Sequence, residues 1–582
     1  MTGTVTRGRT VERRWVPRRE DAPEPSTLAR SVGVSAVVAG VLAARGVETD
    51  TAARALLAPS LEQLHDPFLM LGMREAVGRV LRAVDAGERI LVYGDYDVDG
   101  TTGTVVLRRA LSFLGAQTGY HVPHRFTEGY GIRRDVLERA KRDGYSLVIS
   151  VDCGIRAFEP LEWARENGLD VIITDHHLPD DEEGAPPAFA VLNPNQRACA
   201  YPDKNLAGVG VAFKLAHALF RERGRENLVP GFLKVVAIGT VADVAQLTGE
   251  NRAIVALGLA DLQRATNPGL RALMEVAGCG DGTGMRAFDI GFRLGPRINA
   301  AGRMEAARAV VELFESKSPT EARAIAEQLD ARNRERRDVQ QQVTERAVAE
   351  LELSGQGETS VVVVAGDGWH RGVIGLAASK IAERLQRPAV VISLDEDGTG
   401  HGSARSGDGF HMLDALTQCA DILEAFGGHA HAAGLGVRRE NVAELRRRLN
   451  EHAARIACEG GGDGRPCLEY DMELPADALS LDLCGELEAL EPFGAGWPRP
   501  VFVTKNLRVV GEPRVLKERH LKFGVAAGGR VHDCLWWGGA ERAAATPRPG
   551  ARIELAYSVE ANCWNGNTRL QLVVEDLREG ES

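Results

Sequence analysis

"LVYGDYDVDGTTGT", Leu91 to Thr104, is the stretch whose reading decides the fold. A short apolar run closes on Gly94, and Asp95, Asp97 and Asp99 follow at every second position. D-x-D-x-D-G is also how a calcium-binding EF-hand loop opens. That reading fails twice. With Asp95 as the first loop position, the twelfth, which must be a bidentate Glu, is Val106. The motif also follows a strand-like run rather than a helix. A solvated acidic turn and one wall of an active site are the accounts left.

The surrounding sequence repeats the pattern. "RILVYGDYD", "YSLVISVDCG" and "LDVIITDHH" are short Val/Ile-rich runs, separated by helix-like segments such as Arg133–Asp143 and Phe158–Asn167. Alternating strand and helix predict a parallel, doubly wound sheet, which binds ligands outside the carboxyl ends of its strands. All three runs end in aspartate at that edge: Asp95, Asp152, and Asp175 with His176 and His177 behind it. Neighbouring strands lie about 4.8 Å apart, so these side chains converge. Carboxylates so crowded raise one another's pKa unless cations hold them together. Mixed carboxylate and imidazole donors suit Mn²⁺ or Mg²⁺ better than a thiolate-seeking metal. Asp243, near the end of the buried helix-like stretch Leu233–Leu247, reads on spacing alone as a cap or a surface residue.

The 582 residues suffice for about four domains. Nine scattered cysteines without a C-x-x-C pair argue against structural zinc and a disulfide framework, and fit a reducing cytoplasm. No run of about 18 apolar residues predicts a membrane span. The basic start, "MTGTVTRGRTVERRWVPRRED", lacks the apolar core of a secretory signal and reads as an unstructured, solvated arm. The net charge of −11 carries little weight against nucleic acid, because metal ligands supply part of it.

The expected organisation is an arm and helical lead-in over 1–60 and a parallel-sheet catalytic domain over 61–316. A connector helix spans 317–353, with Ile325, Leu329, Val339, Val343, Ala347 and Leu351 on one stripe. A smaller α/β domain occupies 354–460 and an OB-like β-barrel 466–582. Within "DGTTGT", Gly100 to Gly103 fall at a helix start that either binds an anion or is simply capped. In the barrel, any one of Trp536, Trp537 and Trp564 reads by itself as core, but together, beside Lys505, Arg508, Lys517, Arg519 and Lys522, they suit a barrel that stacks bases and tracks the strand.

"GDYDVDG", "SVDCG", "TDHH" and "GTVADV" stand in the order and approximate spacing of the DHH phosphoesterase superfamily, which the chain resembles. The resemblance is closest to the bacterial branch of single-strand-specific 5′→3′ DNA exonucleases. "HRFTEGYG", "LAGVGVAFKL", "GPRINAAGRM", "WHRGVIG", "SARS" and "GGHAHAAG" extend it from about residue 90 to 435. It implies a DHH domain joined by the long helix to a DHH-associated domain. Asp99, Asp152, His176 and Asp243 would hold one cation, and Asp95 and Asp97, bridged by Asp152, the other. His177 would face the scissile phosphate, so that Asp97, Asp152, His176 and His177 carry the chemistry. Asp175 would orient the imidazoles from outside the ligand set. Arg371, Arg405, Gly427, Gly428 and His429 would bind substrate, while Arg297 and Arg303 are either further phosphate-binding candidates or ordinary salt-bridging surface arginines. The implied cofactors are two divalent cations, Mn²⁺ ahead of Mg²⁺. The implied partners are single-stranded DNA, a helicase and a single-strand-binding protein in recombination and repair, with no membrane. Two alternatives stand beside this: an oligoribonuclease, cyclic-dinucleotide phosphodiesterase or pyrophosphatase of the same superfamily, and a non-catalytic replication scaffold.

Overall fold

The computed structural model describes residues 13–125, 127–180, 182–279, 284–303, 307–354, 356, 359–407, 409–459, 467–541, 546–564 and 567–580. They form two compact units, one holding Arg54–Glu335 and Leu490–Arg499, the other the remaining described residues.

The first unit is built on five parallel strands: β1 (Arg89–Tyr93), β2 (Gln117–His121), β3 (Tyr145–Ser150), β4 (Asp170–Thr174) and β5 (Ala190–Leu192). Their order across the sheet is β2-β1-β3-β4-β5. Alternate side chains enter two cores. Ile90, Val92, Leu147, Ile149 and Ile172 join one, and Leu91, Tyr93, Val148, Val171 and Ile173 the other. Both faces are thus covered, which is why the strands read as unbroken apolar runs. The strand order reverses between β1 and β3, and such a switch point opens a crevice at the carboxyl edge.

Four helices bear on that crevice: α1 (Val98–Phe113), α2 (Gly208–Glu222), α3 (Leu233–Ala242) and α4 (Gly295–Arg303). The start of α1 is capped from within. Asp97 Oδ1 accepts from Gly100 N at 2.9 Å, and the hydroxyls of Thr101 and Thr102 donate back to the carbonyls of Asp97 and Val98. Asp97 thus caps the Gly100 N–H, and the two threonine hydroxyls are turned onto carbonyls of the helix.

The predicted connector is a single helix, α5 (Pro319–Leu353), whose first half belongs to one unit and second half to the other. Its buried stripe runs through Ala322, Ala326, Leu329, Val343, Ala347 and Leu351, and Ile325 is only half-buried. Two small alanines, not the bulkier isoleucine, meet the neighbouring surface there.

In the second unit, β6 (Val362–Asp367), α6 (Arg371–Leu385), β7 (Ala389–Leu394), β8 (Thr399–Arg405), β9 (Leu423–Gly428) and β10 (Ala432–Arg438) make a mixed sheet in the order β9-β10-β8-β7-β6. The barrel follows: β11 (Phe502–Leu516), β12 (His520–Ala527), β13 (Arg530–Trp536), β14 (Arg552–Trp564) and β15 (Asn567–Glu579). Pairing of β11 with both β12 and β14 closes it. Closure removes the free edges that would invite aggregation.

The start of the chain corrects an expectation. Arg14–Pro17 is not a solvated arm but a strand paired in parallel with Cys467–Tyr470. Trp15 Nε1 donates to Asp576 Oδ2 at 2.8 Å, and the Arg578 guanidinium lies 4.1 Å from the Trp15 ring centroid. Arg45 grips the buried Asp471 with both arms of its fork, at 2.6 and 3.0 Å. Arg18 likewise lies 3.1 Å from Glu469 Oε2 and 3.4 Å from Asp471 Oδ1, while Arg19 pairs locally with Asp21 and Glu48; residues 1–12 of the expected arm lie outside the described residues.

Candidate metal centre

The sheet delivers its aspartates by extending the ladder past the strand ends. Gly94 N donates to His121 O (2.9 Å), Val151 N to Tyr93 O (2.8 Å), Asp152 N to Thr174 O (2.8 Å) and Asp175 N to Leu192 O (3.0 Å). Asp95 follows β1 and Asp152 follows β3, so the two flank the switch point. Asp152 is turned into the crevice by a left-handed backbone (φ 61°), a strained conformation for a non-glycine residue. Asp243 caps the end of α3.

Three overlapping groups result. Asp99, His176 and Asp243 offer donor atoms within 4.8 Å of one another, as do Asp95, Asp97 and Asp152, and Asp152, His176 and His177. His176 Nε2 lies 3.2 Å from Asp152 Oδ1, 3.8 Å from Asp99 Oδ2 and 3.9 Å from Asp243 Oδ2. The structure thus brings together every residue expected as a metal ligand.

Charge in this cluster is held against opposition. Burial, followed by repulsion from neighbouring aspartates, raises the carboxyls of Asp95 and Asp152 well above the usual range. The same causes push Asp99 up to about 7 and Asp243 to about 9. Asp99 is partly compensated by the start of α2, where Gly208 N and Val209 N donate to its two oxygens at 2.6 and 2.7 Å. Burial, then the neighbouring His177, lowers His176 to about 4, so its ring is a neutral donor at pH 7. Oδ1 of Asp95 and Oδ1 of Asp152 are buried and accept no hydrogen bond. Orphaned buried carboxylate oxygens are costly unless a cation meets them. Cys153 offers no thiolate, because burial pushes its thiol up. Hard oxygen and imidazole donors with unmet valence fit Mn²⁺ or Mg²⁺.

Asp175 stays out of the cluster and shapes it. Its Oδ1 accepts from the backbone N of His176 (2.8 Å) and His177 (3.1 Å), and its Oδ2 from Ile155 N (2.9 Å). His177 Nδ1 lies 2.8 Å from the same Oδ1. Burial opposes the Asp175 charge, but the bond from His177 and these amides outweigh it and hold the carboxyl below its usual range. Burial is the strongest influence on His177 and lowers it, but the same bond together with the charges of Asp175, Asp99 and Asp97 leaves the ring raised.

Several contributors escaped the sequence reading. The Tyr130 hydroxyl donates to Asp152 O (3.1 Å) and lies 3.2 Å from His177 Nδ1. Asn193 and Asn195 hold the carbonyls of His177 and His176 at 2.8 and 2.7 Å. Tyr96, Arg125, Asn299 and Arg303 join Asp95, Asp97, Tyr130, Asp152, His177 and Asp243 around a cavity of about 270 Å³. The stretches "HRFTEGYG" and "GPRINAAGRM" carried most of that signal, but nothing local says which of their side chains face inward. Arg297 instead pairs with Asp330 at 2.9 Å, as expected of a structural arginine.

The residues expected to bind substrate lie in the second unit. Gly428 has φ 144°, and a Cβ there would come 2.4 Å from Ala432 O, so the turn requires glycine. Gly427 pairs with Gly434, and neither would meet anything within 4 Å, leaving a bare patch of backbone beside Ser403. His429 N donates to Ala432 O at 2.8 Å. Arg405 Nη1 donates to Ser403 Oγ (3.1 Å), and Arg371 is ion-paired with Asp395. In the barrel, Trp536 is 2% exposed and belongs to the core, which removes it as a stacking face. Trp537 is 60% exposed with its edge against His520, and the Trp564 side chain lies outside the described residues.

Comparison with known proteins places this geometry. Residues 89–240 match the DHH family N-terminal domain, 358–467 the DHHA1 domain and 470–576 the RecJ OB domain. The single-stranded-DNA-specific exonuclease RecJ of Bacillus subtilis is 39% identical over 98% of this chain and 71% of its own length. The chain belongs to the RecJ family. The RecJ of Escherichia coli K12 is 36% identical over 87% of this chain and 90% of its own. A crystal structure of RecJ from Thermus thermophilus in complex with Mn²⁺ superposes with a TM-score of 0.82 at 30% identity, covering 98% of this chain and 80% of that one. RecJ from that organism was also solved in complex with Mg²⁺. RecJ proteins are thus known with both cations that the donor set here favours.

Proposed function

We propose that the chain is a divalent-cation-dependent exonuclease of single-stranded DNA, working 5′→3′ and releasing 5′-mononucleotides. The observation that carries this reading is the gathering of six candidate ligands and His177 into overlapping donor groups, with Asp95, Asp97, Asp152, Asp243 and His177 lining one cavity, in a chain whose relatives are named for that activity. Asp99, Asp152, His176 and Asp243 would hold one cation, and Asp95, Asp97 and the shared Asp152 a second, with Mn²⁺ preferred. Bound there, the pair would lower the pKa of a water and neutralise charge on the phosphoryl oxygens.

The chain's own groups do the positioning. Asp175 and Tyr130 fix the His177 ring at the scissile phosphate. Arg125 and Arg303 line the same cavity and set positive charge where phosphate oxygens would gather. Attack of water forms the new P–O bond, and the bond to the 3′ oxygen of the departing nucleotide breaks. The patch around Gly427, Gly428 and His429, with Arg371 and Arg405, would grip the nucleic acid. Repair and recombination beside a helicase and a single-strand-binding protein, in the cytoplasm, are the setting the family resemblance supports.

The test is digestion of 5′-labelled and 3′-labelled single strands with Mn²⁺, beside a blunt duplex. The 5′ label should leave at once as mononucleotide, the 3′-labelled strand should shorten stepwise, and the duplex should survive. Intact DNA beside cleaved short RNA or cyclic dinucleotide would move the chain to another branch of the superfamily.

A further inference from the structure

Residues 287–303 run as one unbroken helical stretch: Ala287–Asp289, a π-turn over Ile290–Leu294, then α4. Asn299 and Arg303, at its far end, line the metal cavity. At its near end Phe288 and Phe292 stand 56% and 64% exposed, with ring centroids 4.6 Å apart and planes 24° from parallel. Single exposed aromatics are ordinary, but two stacked in water form a patch that asks for a partner.

We propose that Phe288 and Phe292 are a base-stacking step over which single-stranded DNA passes on its way to the metal cavity. The inference rests on the reading of the chain as a single-strand nuclease and names a further part of its substrate site. Four observations carry it.

The first is continuity. Phe292 precedes Asn299 by two helical turns, so the step lies on the helix that walls the cavity, about 10 Å along its axis. The second is anchorage. A Cβ at Gly295 would sit 3.4 Å from Ala242 Cβ and one at Gly291 3.9 Å from Val241 Cγ1, so the stretch packs on the end of α3 that delivers Asp243. The third is chemistry. Every base has a π-face, so stacking serves an enzyme that must accept any sequence. The fourth is charge. Arg303, at the far end of the stretch, lines the metal cavity together with Arg125, while Arg286, Arg293 and Arg297 are engaged by Glu491, Asp289 and Asp330. The two cavity arginines set positive charge where a polyanion leaving the step would arrive.

The experiment uses the full chain with Mn²⁺ and a thymidine oligonucleotide, and compares the wild type with Phe288→Ala/Phe292→Ala, Phe288→Leu/Phe292→Leu and Phe288→Trp/Phe292→Trp. The alanine and leucine pairs should both lower kcat/KM about tenfold or more, and the tryptophan pair should keep most of it. A single abasic nucleotide moved along the strand should slow the wild type at one register and leave the alanine pair indifferent to its position. Recovery by leucine, loss in all three pairs, or no loss in any would overturn the step; no loss in any would leave the patch to a protein partner. A wild-type chain that does not degrade the oligonucleotide would instead sink the nuclease reading itself, so the two failures are told apart.

Discussion

Gly208→Ala should cripple the metal centre without altering a ligand. A Cβ at Gly208 would lie 2.7 Å from both Cβ and Oδ1 of Asp152 and 2.9 Å from its Cγ. Carbon atoms rest at about 3.5–4.0 Å, so about 1 Å of movement is forced on one side or the other. Asp152 has little room to yield, because its φ of 61° and its bond to Thr174 O fix the backbone. Gly208 is equally tied, since its N–H donates to Asp99 Oδ2 at 2.6 Å. Overpacking of this kind costs about 1–3 kcal/mol of stability. Displacing the aspartate shared by both cation sites should weaken Mn²⁺ binding about 10- to 100-fold, the scale seen when support for a ligand is lost. The rate on single-stranded DNA should fall about 100-fold, as expected of a 1 Å misplacement. Calorimetric Mn²⁺ titration and oligonucleotide digestion read the two effects. Gly231→Ala, where a Cβ would meet nothing within 4 Å, is the control. A Gly208→Ala protein with wild-type Mn²⁺ affinity and wild-type rate would refute the reasoning.

Other expectations follow from buried charge. Arg45→Ala removes the bidentate partner of the fully buried Asp471 carboxylate and should cost about 3–5 kcal/mol, read by denaturant unfolding; a loss under about 1 kcal/mol would mean that Arg18, whose Nε lies 3.4 Å from Asp471 Oδ1, suffices. Lys214 and Glu250 are both fully buried and 2.6 Å apart, so Lys214→Met should cost as much, whereas Lys214→Met with Glu250→Gln should recover most of the loss. Equal losses in the two proteins would contradict the pairing. Folded Asp99 and Asp243, pushed up to about 7 and about 9, retain protons that the unfolded chain gives up above about pH 4. The chelated protein should therefore lose stability as pH rises from about 4 to 9, and Mn²⁺ should raise Tm more at pH 8 than at pH 5. An Mn²⁺ effect that does not change with pH would remove those carboxyls from the site.

The sequence exposes what lies at strand ends and hides what depends on distant pairing. Asp95, Asp152 and Asp175 were legible because each closes an apolar run, and parallel strands bring their carboxyl ends to one edge. Asp243 was not, since a lone aspartate at a helix end looks like a cap, and only the family resemblance lifted it into the site. The order β2-β1-β3-β4-β5 and the crevice it opens depend on which strands pair, which no local pattern records. Tyr130, Asn193 and Asn195 act through one or two hydrogen bonds to atoms well separated along the chain, so composition signals nothing. Trp536 is core, as any one of the three tryptophans read alone is expected to be, because a tryptophan reads alike in a core and on a binding face. The Arg14–Pro17 strand was missed for a related reason: four residues paired with Cys467–Tyr470 leave no periodicity to detect.

The measurement that bears most directly on the whole account is the number of Mn²⁺ ions bound per chain, followed by electron paramagnetic resonance alongside digestion of a single-stranded oligonucleotide. Wild type should bind two, with the spin–spin coupling of a close pair, and degrade the strand. Asp243→Asn should weaken one ion selectively, and Asp152→Ala should abolish both the coupling and the digestion. A single ion in the wild type, or an Asp152→Ala chain that still binds a coupled pair and cuts DNA, would contradict the account.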